Sequence, residues 1–501
     1  MTEVTMNYSR STKTIALAVA LSFSFNPILR AADDGLPVHD CGKPPPAPPQ
    51  FHAGGEGFPP LPLPATPLRR SEKKKPPAPP NGMAKLKYGK ESSWNPDPGA
   101  HIQLMNHVGQ KISGSRYTFS VVGPEGFTFD PKEVPVLFFS ATEAFQFSPD
   151  VRKKLREYCE KGGTLFLEAN SGTDPARASF TAELKAIFPD KVLRRLPIEH
   201  PVFTSSELIS SVKYLSTTDK VPDQLPYLEG VDIGTRTVVF YSRYGLSCAW
   251  EGHTHPGNRG LGRDSALAVG LNVMAYAMSE QNTPKPLAET VVYTDDPSQP
   301  RARIAIGQIV HNGEWNATPA GVAAMMQQAV QKLNLRGQLQ ATPVNLAKDD
   351  VLGYPMLFMS GMYDFTFSEQ EAAALRAYLQ GGGFLFAESC GGRGSFEVAF
   401  GREMKKVLAD RPLQTLPSSD PVYTTYTNIG TVNYDQRLAL KSSSGSPSLE
   451  GIRFEGRTVV VFSKYSLSTG WEGNASPFNS ALTPDDALRV GLNVIAYAMT
   501  H

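Results

Sequence analysis

One stretch of the chain occurs twice, and it constrains the fold more than any other feature. The first copy is residues 136–172 and the second is residues 356–392. In each copy a short apolar run precedes a segment with apolar residues at helical spacing, and a second apolar run follows. Ser148 and Ser368 are typical helix caps, and a glycine pair ends each helix. A short helix between two buried strands predicts a right-handed crossover in a parallel sheet.

The repetition extends over two whole domains. Trp94 and Trp250 in the first half correspond to Trp315 and Trp471 in the second, each pair 221 positions apart. A constant offset over this length indicates duplication of a domain and not a short solenoid repeat. Strand and helix patterns alternate within each copy. The sequence therefore predicts an α/β fold, with two tandem flavodoxin-like three-layer domains whose sheets are mainly parallel.

The N-terminal part has the features of an exported protein. An uncharged run at 14–25 follows Arg10 and Lys13, which is typical of a signal peptide and too short to span a bilayer. We expect export to the periplasm, cell envelope or extracellular space, with membrane contact only if the signal stays uncleaved. The predicted organisation is a signal peptide (1–32), a proline-rich linker (33–82), a first repeat domain (83–280), a second linker (281–288) and a second repeat domain (289–501).

Charge and cysteine content exclude several classes of protein. The formal net charge of +1 argues against a nucleic-acid partner, because such proteins carry a basic excess. Four cysteines are too few for a disulfide framework in 501 residues, and none has zinc-ligand spacing. We expect no cofactor.

The second half resembles a bacterial family defined as domain of unknown function 4159, and the first half resembles it more weakly. The resemblance lies in five segments: residues 354–360, 375–385, 416–423, 470–472 and 492–501. It implies a fold similar to that of class I glutamine amidotransferases and the trehalose-utilisation (ThuA-like) proteins. It implies no activity and no catalytic residues.

Aromatic and acidic residues are predicted to gather where the parallel strands end, which is where such sheets bind ligands. A tryptophan beside a glutamate can stack on a sugar or peptide and hydrogen-bond its polar edge. The ligand-binding candidates are Trp94, Glu168, Trp250, Glu251, Trp315, Trp471 and Glu472. The favoured alternative is that each tryptophan fills the core and each neighbouring glutamate caps a helix or pairs with an arginine.

Cys390 and Glu388 are the candidate catalytic residues. Cys390 follows a predicted strand, where amidotransferases of similar fold place their nucleophile. A nucleophilic thiol needs a base, however, and the second domain offers only His311 and His501, neither at triad spacing. A structural cysteine is therefore the favoured alternative.

His253 and His255 have side chains that can bind metals. The second domain has Asn474 and Ser476 in their places, and no third ligand is evident from spacing. We therefore expect an exposed loop and no metal site.

Together these observations favour an exported, non-enzymatic binding or interaction protein. Its partner is an unknown small molecule, a glycan or an envelope protein, and the two domains have unequal roles. Two alternatives stay open: a hydrolase or amidotransferase-like enzyme that uses Cys390, and a cell-envelope scaffold that uses the proline-rich linker.

Overall fold

The computed structural model describes residues 81–112, 117–218, 224–281, 303–337, 340–434, 445–474 and 476–501. The expected signal peptide and both linkers lie outside these ranges, apart from residues 81, 82 and 281. Within them, no helix has the length and apolar character that a membrane span requires.

Strands and helices alternate along the first domain. They are β1 (Asn81–Leu86), α1 (Glu91–Trp94), α2 (Ala100–Lys111), β2 (Tyr117–Val122), β3 (Val136–Ala141), α3 (Pro149–Glu160), β4 (Thr164–Ala169), α4 (Asp174–Ile187), β5 (Arg194–Arg195), β6 (Glu229–Ile233), β7 (Arg236–Ser242), α5 (Ser247–Glu251) and α6 (Arg263–Gln281). The sheet order is β2-β1-β3-β4-β7-β6-β5. The first five strands are parallel and have the flavodoxin-like order, while β6 and β5 extend the sheet in antiparallel pairs.

The second domain repeats this plan. Its elements are β8 (Arg303–Ile304), β9 (Ile306–Ile309), α7 (Gly321–Lys332), β10 (Arg336–Gly337), β11 (Thr342–Val344), β12 (Met356–Gly361), α8 (Glu369–Gln380), β13 (Leu385–Ser389), α9 (Gly394–Val407), β14 (Gln414–Thr415), β15 (Leu449–Phe454), β16 (Arg457–Ser463), α10 (Ser468–Glu472) and α11 (Pro484–Thr500). The main sheet has the order β11-β9-β12-β13-β16-β15-β14, and β8 pairs with β10 separately. The predicted fold class is confirmed: each domain has a seven-stranded, mostly parallel sheet flanked by helices.

Each sheet is covered on both faces, which gives three layers and two apolar cores per domain. In the first domain α2 and α6 pack on one face, and α3 and α4 on the other. Phe138 and Phe139 are neighbours on β3 and enter opposite cores, because successive strand residues point to opposite faces. Burial on both faces explains why β3 and β12 are continuous apolar runs.

The repeated helices begin as their sequences predict. Ser148 Oγ accepts a hydrogen bond from Val151 N at the start of α3. Ser368 and Glu371 form a complete capping box at the start of α8. These local contacts set the register of the helix that connects the two buried strands in each domain.

The two domains are docked head to tail. The turn between β6 and β7 of the first domain, residues 232–236, lies against the strand ends of the second. Thr235 Oγ1 accepts hydrogen bonds from the side-chain amides of Asn479 (3.3 Å) and Asn474 (3.5 Å), and Thr235 O accepts one from Arg393 (3.3 Å). All three donors follow strands of the second sheet, so this turn covers the edge at which that sheet would bind a ligand.

Other contacts extend the same interface. Tyr363 donates its hydroxyl to Asp232 at 2.7 Å, and Arg194 pairs with Glu314 at 2.9 Å. The ring of Phe478, from the second domain, stacks on Tyr276 with centroids 4.5 Å apart and belongs to the first domain's core. Apolar burial and paired charges therefore both hold the domains together.

Candidate functional site

A buried polar cluster lies at the strand ends of the first domain. Asp97 is in the loop between α1 and α2, which follows β1. Asn170 directly follows β4, and Ser247 and Cys248 begin the short helix α5 after β7. The carboxyl ends of parallel strands meet at one edge, so residues far apart in sequence converge there.

One oxygen of Asp97 faces two imidazoles. His253 Nε2 lies 2.8 Å from Asp97 Oδ1, and His255 Nε2 lies 3.4 Å from the same oxygen. The two histidine rings are 4.9 Å apart between centroids, in an edge-on arrangement. All three side chains are buried, which makes these contacts stronger than the same contacts in water.

The other oxygen of Asp97 accepts hydrogen bonds from three groups. Asn170 Nδ2 is at 2.5 Å, Ser247 Oγ at 2.8 Å and Cys248 Sγ at 3.2 Å from Asp97 Oδ2. Asn170 Nδ2 also lies 2.8 Å from Ser247 Oγ. Asp97 is thus the centre of the cluster and joins the loops that follow β1, β4 and β7.

The cluster shifts the pKa values of Asp97 and Cys248 in opposite directions. Burial alone would raise the pKa of Asp97, but the hydrogen bonds from His253, His255, Asn170 and Cys248 hold it well below its usual range. Burial, followed by the negative charge of Asp97, raises the pKa of the Cys248 thiol well above its usual range.

Four of these side chains are of types that bind metal ions. One ligand atom from each of Asp97, Cys248, His253 and His255 lies within 4.8 Å of the others.

The sequence predicted an exposed loop for the two histidines, and this was wrong: His253 is 8% exposed and His255 is 5% exposed. They are buried because the loop folds back over α5 and packs against Asp97.

Sequence reasoning missed the partners of the histidines. Asp97 and Cys248 are about 150 positions apart, so no local spacing connects them. One signal was nevertheless present. Asp97 is three residues after Trp94, and Cys248 is two before Trp250, so both neighbour the repeated tryptophans.

A single buried amine faces the cluster. Lys85, on β1, donates from Nζ to Asn95 Oδ1 and to Asp97 O, both at 2.8 Å. Burial lowers the pKa of Lys85 to about 8, although Asp97, Glu168 and Glu251 act in the opposite direction. Three carboxyl groups thus lie near enough to influence the charge of this amine.

Glu168 and Glu388 hold the loops that begin α5 and α10. Glu168 Oε1 accepts hydrogen bonds from the backbone N–H groups of Leu246 (2.8 Å) and Ser247 (3.0 Å), and burial raises its pKa to about 7. Glu388 accepts equivalent bonds from Leu467 and Ser468, and burial raises its pKa as well. Because both domains use this glutamate to accept the same pair of backbone N–H groups, its recurrence has a structural reason.

The tryptophans predicted to bind ligands lie in or beside the core. Trp250 is fully buried between Phe138 and Phe166, and its Nε1 donates to Ala266 O at 2.8 Å. Trp471 makes the matching bond to Ala487 O at 2.9 Å and is half-buried. Trp94 is buried and Trp315 half-buried. A stacking role does not fit Trp250, because neither face of its ring is accessible.

The glutamates beside these tryptophans cap helices, as the favoured alternative stated. Glu251 Oε1 accepts a hydrogen bond from Gly99 N (3.1 Å), immediately before α2. Glu472 Oε1 accepts one from Ala320 N (3.0 Å), immediately before α7. Each therefore satisfies a backbone donor at a helix start.

The second domain has no histidine, cysteine or carboxylate side chain at the positions equivalent to these four. Asp97, Cys248, His253 and His255 are replaced by Thr318, Thr469, Asn474 and Ser476. Thr318 Oγ1 donates to Ser468 Oγ at 2.8 Å, so hydroxyls take the place of the charged cluster.

Cys390 occupies the position of Asn170 in the second domain and is fully buried. Its Sγ lies 3.9 Å from Ser468 Oγ. Burial, and then the charge of Glu388, raise the thiol pKa to about 12. The polar groups that lower this pKa are the hydroxyls of Ser468, Ser360 and Thr318, and none of them is a base that would form a thiolate.

Comparisons with known proteins agree with the duplication. The family model described as "Domain of unknown function (DUF4159)" matches residues 82–278 and again residues 302–499. A search of curated proteins gave no match. Among solved structures, the chain is similar to a protein from Silicibacter pomeroyi DSS-3 that is described provisionally as a phosphosugar isomerase. The identity is 9%, the match covers 62% of this chain and 75% of that one, and the TM-score of 0.16 is too low to support a functional argument.

Proposed function

Since the chain belongs to the DUF4159 family and carries two of its domains in tandem, we propose that it is a binding protein with one working site. The first domain binds the ligand at the Asp97 cluster, and the second serves as a structural partner. Both domains have the same fold, so their different roles have to come from the residues at their strand ends.

One observation supports this proposal most: a turn of the first domain lies against the strand ends of the second domain. The β6–β7 turn places Thr235 within hydrogen-bond distance of Asn474 and Asn479, and Asp232 within reach of Tyr363. A ligand at that edge would have to fit the small cavity of about 140 Å³ beside Thr469, Ser476 and Asn479, or displace these contacts. The matching edge of the first domain instead gathers charged and metal-binding side chains around Asp97.

The kind of ligand follows from the burial of the cluster. Asp97, His253 and His255 are buried, which favours an ion or a very small molecule over a glycan or a protein surface. The enzyme alternative has less support, because Cys390 is a buried neutral thiol surrounded by hydroxyls. The scaffold alternative depends on the proline-rich linker, which lies outside the described residues.

A panel of candidate ligands, measured by thermal unfolding, tests the proposal. The panel contains divalent metal ions, inorganic anions, monosaccharides and short peptides, because anything that binds the native state raises the unfolding temperature. We expect one class to stabilise the wild-type chain and the Thr318→Val variant, but not the Asp97→Asn variant. The two substitutions are matched in position and close in size. Stabilisation that survives Asp97→Asn and disappears in Thr318→Val would place the working site in the second domain and contradict the proposal.

A further inference from the structure

We infer that the first-domain site binds one transition-metal ion, zinc foremost, through Asp97, Cys248, His253 and His255. The inference rests on the proposed function and names its ligand. The supporting observation is that four side chains able to bind metals lie together, from the loop after β1, the helix α5 and the loop that follows α5.

The chemistry of the four side chains favours zinc. Zinc takes imidazole nitrogen, thiolate sulfur and carboxylate oxygen, almost always four ligands in tetrahedral arrangement at structural sites. Calcium and magnesium prefer sites made entirely of oxygen, and this cluster offers two nitrogens and a sulfur. Zinc is therefore a better match than either alkaline-earth ion.

The spacing of the ligand atoms is close to that of a tetrahedral site. Bonds of about 2.0–2.3 Å at tetrahedral angles separate neighbouring ligand atoms by roughly 3.3–3.8 Å. Asp97 Oδ1 lies 3.4 Å from His255 Nε2 and 2.8 Å from His253 Nε2, and all four ligand atoms lie within 4.8 Å of one another. Shifts of about an ångström in side-chain position would bring them around a common ion.

The backbone and neighbouring side chains hold the ligands in place. Gly252 ends α5 at φ 89°, a left-handed conformation that suits glycine, and His253 N then donates to Cys248 O at 3.0 Å. This turn brings the histidine back beside the cysteine. Asn170 and Ser247 orient Asp97 through its second oxygen, as outer-shell groups do in metal sites.

Buried carboxyl groups beside the cluster also favour a cation. Asp97, Glu168 and Glu251 lie near the buried amine of Lys85, and the imidazoles of His253 and His255 face Asp97. Within the part of the chain that the structure describes, the second carboxyl oxygens of Glu168 and Glu251 have no hydrogen-bond partner. A divalent ion bound to Asp97 would offset this negative charge, and its binding to Cys248 would release the thiol proton to solvent.

The site has the properties of a structural metal centre. Four protein ligands complete a tetrahedral shell, whereas catalytic zinc sites keep a position open for water. All four ligands are buried. The ion would join the loop after β1 to the loop after β7. The second domain has threonines, an asparagine and a serine at these positions, so we expect one ion per chain.

Metal uptake by the chelator-treated, full-length chain tests the inference, with Zn²⁺ measured by elemental analysis and Co²⁺ by absorption. We expect one equivalent of either ion per chain, and a Co²⁺ spectrum with tetrahedral ligand-field bands and a thiolate-to-cobalt band. Cys248→Ser should abolish the thiolate band, and His255→Asn should weaken Co²⁺ binding at least tenfold. The double variant Asn474→Ala/Ser476→Ala, at the matched positions of the second domain, should behave as wild type. Circular dichroism of each metal-free variant confirms that it is folded.

Two results would overturn the inference: no uptake by the folded wild-type chain, or a cobalt spectrum that Cys248→Ser leaves unchanged. The proposed function has a separate outcome. If another class of ligand stabilises the chain through Asp97 while no metal binds, the metal inference fails and the proposed function stands. If metal binds but Asp97→Asn does not weaken it, both fail.

Discussion

Glu251 and Glu472 show how a residue next to a tryptophan can serve the backbone. Each accepts a hydrogen bond from the N–H group of the residue that precedes a helix, Gly99 for Glu251 and Ala320 for Glu472. Both hydrogen bonds are partly buried, and an N–H group at the start of a helix has no carbonyl acceptor within that helix. Losing the carboxylate would leave each donor unsatisfied.

We predict that Glu251→Ala and Glu472→Ala each lower the free energy of unfolding by about 1 kcal/mol, because a hydrogen bond at a helix start is lost. Glu251→Gln and Glu472→Gln keep an oxygen acceptor and should stay close to wild type. Urea denaturation of the full-length chain measures this. Unchanged stability in both alanine variants would argue against a capping role.

At this scale the sequence predicts the roles of some side chains and not of others. Trp250 and Glu251 have the core and helix-capping roles of the favoured alternative, whereas the role of Glu168 in holding a loop was not predicted. The role of Asp97 could not be predicted. The five contacts of its carboxylate come from residues more than 70 positions away, and only the folded sheet brings them together.

The β6–β7 turn is the element that distinguishes the two domains. Thr235 accepts two side-chain amide donors through its hydroxyl and one guanidinium donor through its carbonyl, all from the second domain. A turn between two strands is normally exposed to solvent. Here it is part of the interface and keeps the second domain's strand ends covered.

We predict that Thr235→Ala lowers the free energy of unfolding by about 1–3 kcal/mol, because the amides of Asn474 and Asn479 lose their acceptor in a buried interface. Thr235→Ser keeps the hydroxyl and is the matched control. Denaturant unfolding, together with limited proteolysis between the domains, measures the effect. If the alanine variant matched the serine variant in both assays, the turn would not couple the domains through this hydroxyl.

Long, strongly apolar elements could be predicted from sequence, and short ones could not. The strand–helix–strand units appear as expected, because burial on both faces produces clear apolar runs in their strands. The antiparallel strands β5 and β14 have two residues each, and their apolar signal is too short to recognise. Trp250 lies on the short helix α5, whose five residues are too few for a helical period to show in the sequence.

For the molecule as a whole, duplication explains the shared fold and docking explains the unequal roles. A head-to-tail arrangement puts different surfaces of the two domains in contact, so it covers the strand ends of only one of them. The sequence indicates the duplication through the constant offset of the tryptophans. It does not predict the docking, because Phe478 and Tyr276 meet only once both domains have formed.

Anomalous X-ray diffraction at the zinc absorption edge tests the central claim most directly. Crystals of the full-length chain grown with zinc should show one anomalous peak per chain, placed between Asp97, Cys248, His253 and His255. The positions equivalent to these in the second domain should show none, and Thr235 should remain in contact with Asn474 and Asn479. A peak in the second domain, or an empty first-domain site in crystals that hold zinc elsewhere, would contradict the account.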